Sequence, residues 1–390
     1  MSITDTLTEG ERRDFSEKRD RVLKRLKARA RPAPSGDRLN GQEGMVDRIG
    51  DKPAARSILY FYSRGCSWAN HGGPCLACGH YRVSSRGNTV GADDFASQCH
   101  EGLQQLSEDI RVLSLYNGGS FLSKDEVPLG ALKYIFKAIR DRQNIERVII
   151  ESLPEFVTVE YLERLKRWLG HKELEIGVGV DAVSGDVREL CVNKGCALAT
   201  QLKALRTIRD AGCLPLSYVL VKPPFLSEEE AVVEAVRSVD VLISEGFPRV
   251  SLEPVSLQPG SFATYLHSRR LFYVPSLWTV QEVVRQVTRC DVELRIGGWQ
   301  YRPKPMETFV DTACSQACRV NAMRALDGLN GTGHADGLLA LDCECRRSSR
   351  SRSEWNRGVV DTIRAFVGTW GERAGRSEYR WLPGSGPVSS

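Results

Sequence analysis

The sequence predicts an α/β fold: a parallel sheet that is partly closed into a (β/α) barrel of the triosephosphate isomerase (TIM) type. From Ser57 onward, strand-like apolar runs alternate with helical runs, as expected of right-handed β/α crossovers. The alternation stops near residue 300, and a shorter cysteine-rich region follows. We therefore expect a basic N-terminal helical arm over 1–50, a barrel over 51–300 and a small C-terminal metal-binding region over 301–390.

Apolar and β-branched runs bounded by turn residues predict seven strands. They are 57–62, 110–116, 147–152, 174–180, 215–221, 249–255 and 292–296. Helical patterns such as VTVEYLERLKRWLG and TQLKALRTIRDAG separate them. In barrels of this kind, ligands bind at the carboxyl ends of the strands, so the polar residues found there are candidate site residues.

The N-terminal arm begins with a highly charged run, ERRDFSEKRDRVLKRLKARARP, in which Phe15, Val22, Leu23 and Leu26 form one narrow apolar stripe. That spacing predicts a helix. The helix either packs on the surface of the barrel or forms an arm that meets a phosphate backbone.

Composition narrows the class of protein. The chain has 390 residues, 41% of them hydrophobic, and a formal net charge of +5. This mildly basic balance suits a phosphorylated substrate but does not identify a nucleic-acid binder. The first residues have no apolar signal-like stretch, and no apolar run is long enough to span a membrane. We expect a cytoplasmic protein with reduced thiols and no membrane partner.

The first strand is followed by a loop that holds Cys66, Cys75 and Cys78 with the spacing C-x8-C-x2-C. Three thiolates can ligate three corners of a cubane iron-sulfur cluster and leave the fourth iron open. A structural zinc site is the alternative, with His71 or His80 as the fourth ligand. A further alternative is that the three cysteines bind no metal and are separate residues of the core.

A three-cysteine loop after the first strand of a β/α series is the signature of the radical S-adenosylmethionine (SAM) superfamily, which the chain resembles from Arg56 to Gly298. The gap of eight residues and Ala77 before the last cysteine match its long-loop branch, which includes the elongator catalytic subunit. The resemblance implies a radical SAM barrel with a SAM-binding 4Fe-4S cluster. It also implies reductive cleavage of SAM to a 5′-deoxyadenosyl radical, which abstracts a substrate hydrogen.

Five stretches, in order, resemble the radical SAM lyase of archaeosine-tRNA synthesis and its bacterial biosynthetic relatives: LYNGGSFL, ESLPEFV, GVGVDAVSGDVRELCVNKG, YVLVKPPFLSEEEA and PVSLQPGSF. The resemblance implies that Gly118, Gly119 and Ser120 hold the methionine amino group, and that Asp181 binds the SAM ribose or carboxylate. Family members often have Glu where Ser120 stands. An ordinary turn at the glycines and a helix cap at Asp181 are the alternatives.

Glu151 and Lys222 follow the third and fifth predicted strands and are the candidate catalytic residues. As strand-end residues, both could face the substrate. Either could instead belong to a salt bridge that lines the barrel.

A second group of cysteines lies in the C-terminal region at Cys314, Cys318, Cys343 and Cys345. We expect a second iron-sulfur cluster here, because the protein already handles such chemistry; zinc or unligated cysteines are the alternatives. Such a cluster could donate a sulfide. An Arg/Ser-rich run and a Gly/Pro/Ser tail follow.

These expectations predict a radical SAM enzyme, a sulfurtransferase or a lyase. We expect hydrogen abstraction from a nucleoside-like or other secondary-metabolite substrate, with sulfur-for-oxygen exchange as in thionucleoside antibiotic pathways. A flavodoxin or ferredoxin would supply electrons. The alternative is a C-N bond lyase that acts on a lysine-modified 7-deazaguanine base in tRNA. Abundant Arg, Gly and Ala indicate a GC-rich bacterial source, which favours the small molecule. A non-catalytic zinc-binding scaffold is a further alternative.

Overall fold

The computed structural model describes residues 6–29, 36–289, 291–300, 304–346 and 357–369. Most of the Arg/Ser-rich run and the C-terminal tail lie outside these ranges. The strands are β1 Gly41–Ile49, β2 Lys52–Tyr60, β3 Ile110–Tyr116, β4 Arg147–Glu151, β5 Glu173–Asp181, β6 Leu214–Val221, β7 Arg249–Pro254 and β8 Glu293–Ile296. The α-helices are α1 Glu9–Arg29, α2 Ser67–His71, α3 Ala92–Gln104, α4 Leu129–Arg140, α5 Val159–Leu169, α6 Leu198–Asp210, α7 Glu228–Ser244, α8 Phe262–His267, α9 Leu277–Val287, α10 Gln316–Thr332, α11 Asp336–Leu339 and α12 Val359–Gly368.

The strands form one sheet in sequence order, from β1 to β8. All neighbours from β2 to β8 pair in parallel, whereas β1 pairs antiparallel with β2. The predicted partial TIM-type barrel is therefore confirmed, and each of the seven predicted strands overlaps one of β2 to β8. Apolar side chains from these strands and from the outer helices form the main core.

The sheet begins at Gly41, before residue 51, where the sequence analysis places the start of the barrel. The sequence of β1, GQEGMVDRI, shows no clear alternation of apolar and polar residues. Most of its residues are half-buried at the edge of the sheet, so neither face of the strand has to be apolar. Part of the predicted N-terminal arm is therefore a strand.

The outer edge of β8 is capped by side chains. Asn330 of α10 donates from its amide to the carbonyl of Ile296 at 3.0 Å and accepts from the backbone N–H of the same residue at 2.9 Å. Arg48 of β1 donates to the carbonyl of Leu294 at 3.0 Å. These bonds satisfy backbone groups that an open edge would leave unpaired. β1 and α10 therefore close the barrel between β8 and β2.

A buried ionic network lies at the amino-terminal ends of the strands. Glu175 of β5 accepts from Arg295 of β8 and from Arg249 of β7, and Arg147 of β4 lies 3.6 Å away. Asp47 of β1 pairs with Arg295 at 3.0 Å. Burial alone would raise the pKa of Glu175, but the surrounding arginines lower it to about 2.

Helix α1 packs on the surface of the barrel, which is one of the two alternatives predicted from the sequence. Its Phe15 is fully buried, with ring centroids 5.2 Å from Phe225 and 5.7 Å from Phe366 of α12. Lys27 near its end donates to the carbonyl of Ala69 in α2. The helix therefore covers the loop that carries the first three cysteines. Within the described ranges, no helix is both long and apolar enough to cross a membrane.

We predict that Glu175→Gln lowers the free energy of unfolding by about 3 kcal/mol or more, because Arg295 then loses a buried anionic partner. The folded-state pKa of Glu175 lies below its ordinary value of 4.5. Its contribution is therefore present above that pH and is lost as the pH falls towards 2. Urea denaturation at neutral pH measures the change.

Glu146→Gln is the matched control, since Glu146 also pairs with an arginine, Arg111, but on the surface. We expect it to cost less than about 1 kcal/mol. Equal losses in the two variants would contradict the role given to the buried network.

Candidate active site

A single cavity of about 290 Å³ runs through the barrel from β1 to the first cysteine loop. Among the residues that line it are Cys75, Cys78, Asp181 and Glu151. These residues come from three different strand ends, which the parallel sheet brings to the same end of the barrel. The structure therefore joins six of the predicted site residues in one place, since Gly118 and Gly119 line the cavity as well.

The long gap in the first cysteine loop is a short helix, α2, with Cys66 at its N-cap. Trp68 of this helix donates from its indole to the carbonyl of Asn193 at 2.9 Å. An added Cβ at Gly72 or Gly195 would overlap the Trp68 ring, so only glycine fits at either position. The eight-residue gap is therefore an ordered support for the loop.

The three cysteines of the loop are half-buried. Burial raises the pKa of Cys66 to about 12 and raises the pKa values of Cys75 and Cys78 as well. Such thiols ionise when a bound metal compensates the negative charge. Three such thiols, two of which line the cavity, suit a metal cluster, which would replace their protons. His71 is exposed, and its ring contacts the carbonyl of Ser67, whereas His80 lines the cavity.

The glycine motif after β3 packs directly against this loop. Gly118 has φ +66°, and an added Cβ would lie 3.0 Å from His80. A Cβ at Gly119 would lie 2.8 Å from the Cα of Cys66 and would overlap the carboxylate of Glu126. Both glycines also line the cavity, where the absence of a side chain lets a ligand approach their backbone closely.

Glu126 fastens the glycine motif to the cysteine loop, and the sequence analysis did not find it. Its carboxylate accepts from the backbone N–H of Ser67 at 2.9 Å and from that of Ser120 at 2.6 Å. Asn117 also donates to it. Glu126 stands in no recognisable motif, so no local signal could have identified it.

Asp181 adopts a left-handed backbone conformation at φ +67° and forms an ion pair with Lys194 at 2.6 Å. Both line the cavity. Burial favours the neutral amine, but Asp181 raises the pKa of Lys194 above its ordinary value. The pair thus offers a cation and an acceptor side by side. Lys194 lies in one of the five resembling stretches, GVGVDAVSGDVRELCVNKG, and this could have identified it.

Cys66, Ser120 and Lys222 are not among the described residues that line the cavity. The Ser120 hydroxyl lies 2.9 Å from that of Ser152 and is fully buried, outside the cavity lining within the described residues. Lys222 pairs with Glu228 at 3.1 Å, apart from the cavity. For Lys222, the geometry therefore matches the alternative role in a salt bridge.

Glu151 lies at the end of β4 and faces the cavity. Burial and the neighbouring Glu253 raise its pKa to about 7. Near neutral pH this carboxyl group can therefore hold or release a proton.

The second cysteine group forms one compact site. The sulfur atoms of Cys314, Cys318, Cys343 and Cys345 all lie within 4.8 Å of one another. A single tetrahedral ion with metal-sulfur bonds of about 2.3 Å separates its ligand sulfurs by about 3.8 Å. The site therefore fits a metal; in this conformation the spacing suits one ion, and a cluster would need the sulfurs to move apart.

This site lies at the same end of the barrel as the first loop, outside the cavity wall. Trp299 follows β8, and its ring centroid lies 5.9 Å from that of Phe309, shortly before Cys314. Cys345 contacts Trp278 in the first turn of α9. Within the described part of the chain, none of the four cysteines lines the cavity.

Comparisons with known proteins identify relatives of the chain. No protein-family model matches it. An uncharacterised protein of Methanocaldococcus jannaschii is 28% identical over 71% of this chain and 76% of its own length. The archaeosine synthase subunit beta of Methanosarcina acetivorans is 24% identical over 83% of this chain and 91% of its own length.

A second archaeosine synthase subunit beta, from Thermococcus kodakarensis, is 25% identical over 61% of this chain and 74% of its own length. The resemblance predicted from the sequence is confirmed by these relatives. The chain is therefore similar to archaeosine synthase subunit beta over most of its length.

We predict that Gly119→Ala lowers the iron bound at the first site to less than about half of the wild-type amount. The new methyl group would displace Glu126 and the backbone of Cys66, which position the loop. Iron analysis of the anaerobically reconstituted protein measures the loss.

Gly130→Ala is the matched control, because an added Cβ there meets nothing within 4 Å. It is expected to bind iron as the wild type does. Full iron loading of Gly119→Ala would show that the loop does not depend on this close approach.

Proposed function

We propose that the chain is a radical SAM enzyme whose reaction takes place in the barrel cavity and acts on a nucleoside-like small molecule. One observation carries this proposal. Two thiols of the first loop, the backbone of the glycine motif and the Asp181–Lys194 pair all line the same cavity. A cluster-bound SAM needs thiolates for the metal and polar groups for its own amine, carboxylate and ribose.

The chain's residues would divide this work. Cys66, Cys75 and Cys78 would hold the 4Fe-4S cluster, which supplies the electron for reductive cleavage of SAM. The backbone of Gly118 and Gly119 would bind the methionine end, and Asp181 with its Lys194 partner would bind carboxylate or ribose groups.

Other groups shape the surroundings of the reaction. Glu126 holds the cysteine loop against the glycine motif, and α1 covers the loop from outside. Their joint effect is to keep water away from reactive species. Glu151 holds or releases a proton inside the same cavity, which makes it the candidate acid or base.

Sulfur-for-oxygen exchange is the reaction we propose. It draws support from the second thiolate site at the same end of the barrel, which fits a metal and is partly exposed. For this reaction the four sulfurs would have to move apart to hold an iron-sulfur cluster. A sulfide of that cluster would replace an oxygen of the substrate, and the oxygen would leave with two protons as water. The lyase reaction is the second candidate, and the relatives named archaeosine synthase favour it.

We predict that alanine at Cys66, Cys75 and Cys78 together abolishes formation of 5′-deoxyadenosine and methionine from SAM, because no metal is then held beside the glycine motif. Chromatographic assay of both products after chemical reduction measures the loss. The matched control replaces the buried Cys99 of α3 with serine, which leaves both metal sites intact. SAM cleavage that persisted in the triple variant would refute the assignment of the first site.

The same triple variant identifies the metal at the second site, and turnover of the wild type separates the two candidate reactions. Iron and sulfide that remain in it must lie at the C-terminal cysteines, whereas zinc alone would indicate a structural ion. In the wild type, sulfur exchange predicts that the protein's sulfide declines during turnover with a mixture of ribonucleosides and ribonucleotides. A constant sulfide content would favour the lyase.

A further inference from the structure

Deep in the barrel, glycines make room for two polar side chains. A Cβ at Gly177 of β5 would overlap the ring of Tyr218, and one at Gly297 would overlap the carboxylate of Glu253. Both side chains line the cavity. Any larger residue at either glycine would have to displace them. The strands are therefore shaped to hold Tyr218 and Glu253 in place.

A directional chain of hydrogen bonds reaches this group from the far side of the barrel. Arg56 donates to the phenol oxygen of Tyr116 at 2.6 Å. The hydroxyls of Tyr116 and Tyr218 lie 3.2 Å apart. Because a guanidinium only donates, Tyr116 accepts from Arg56 and can donate its own hydrogen to Tyr218.

Tyr218 in turn hydrogen-bonds to Glu151, which therefore has one end fixed. Glu253 accepts from Ser251 at 2.7 Å and is the carboxyl neighbour of Glu151. Burial and this neighbour raise the pKa of Glu151 to about 7, so near neutral pH its carboxyl group exists in both the protonated and the ionised form. Glu151 can therefore donate or accept a hydrogen bond, and the Glu253 carboxyl group lines the same cavity.

We propose that Glu151, Glu253 and Tyr218 recognise two adjacent hydroxyl groups on the sugar of the substrate, an inference that rests on the proposed function. Hydroxyls donate and accept, and carboxyl groups beside a phenol can do the same. Hydrogen bonds from hydroxyls to a carboxylate rank among the stronger neutral-to-charged bonds. The site thus selects a ribose with both hydroxyls rather than a deoxy sugar.

A cationic substrate group, such as an amine, is the competing occupant. It would be favoured most by a cavity wall with an excess of carboxylates. Among the described residues that line this cavity, three cationic side chains, Arg56, Lys194 and Arg295, balance three carboxyl side chains, Glu151, Asp181 and Glu253. The balanced charge and the mixed donors and acceptors therefore favour hydroxyl groups.

The test measures binding to the full chain, with its cluster reconstituted and SAM bound, by anaerobic calorimetry. The probes are cytidine and adenosine, each with its 2′-deoxy and 3′-deoxy counterparts, and L-lysine as the cationic probe. Wild-type protein is expected to bind a ribonucleoside at least about tenfold more tightly than either deoxy counterpart, because each lost hydroxyl removes a bond to a charged group.

Glu253→Gln and Tyr218→Phe are each expected to reduce that preference to about threefold or less. Tyr218→Phe removes a single hydroxyl, so it keeps the test informative if the Gln variant folds poorly. Glu229→Gln is the control, since Glu229 is an exposed carboxylate at the start of α7 and leaves the cavity unchanged. It should keep the wild-type preference.

Three outcomes would overturn the proposal: equal binding of ribonucleosides and their deoxy counterparts to the wild type, no binding of any nucleoside, or binding of L-lysine that Glu253→Gln abolishes. SAM cleavage without added substrate is measured on the same samples. Cleavage without ribose selectivity refutes this inference alone, whereas absence of cleavage refutes the proposed function.

Discussion

The buried network around Glu175 and Asp47 is the constraint on which the rest of the structure depends. These two carboxylates engage arginines from four strands at the amino-terminal ends of the sheet. Paired buried charges tolerate little displacement, because each loses its partner when a strand moves. The network therefore ties β1 to β8 across the gap in the barrel. With one end of the strands held, the opposite ends can carry loops of varied length.

Glycines leave space for polar side chains close to the backbone at the open end of the barrel. At Gly119 and Gly297 a methyl group would collide with a carboxylate. At Gly177 it would collide with an aromatic ring. Each of these positions gives up side-chain packing so that a polar group can lie close to the backbone. The result is a polar cavity inside an apolar sheet, closed on one side by β1 and α10.

The seven parallel strands could be predicted because buried strands read as apolar runs, and that signal is local. β1 could not, since an edge strand with two glycines and mixed polarity has no such pattern. The cysteines of both groups were predictable from spacing alone. Glu126 was not, because its role depends on hydrogen bonds from the backbone of Ser67 and Ser120. Ser67 lies 59 residues away in the sequence, so no local pattern indicates the contact.

The sequence by itself determined the order of strands and helices, the two cysteine groups and the relationship to the archaeosine synthase-like proteins. These features can be predicted because each depends on the residue types and spacing within a short segment. Only the tertiary structure decided which side chains share the cavity. It paired Asp181 with Lys194, turned Lys222 towards Glu228 and joined Glu151 to Tyr218. The physical reason is that partners at a strand end come from distant segments, and their contacts exist only once the sheet has closed.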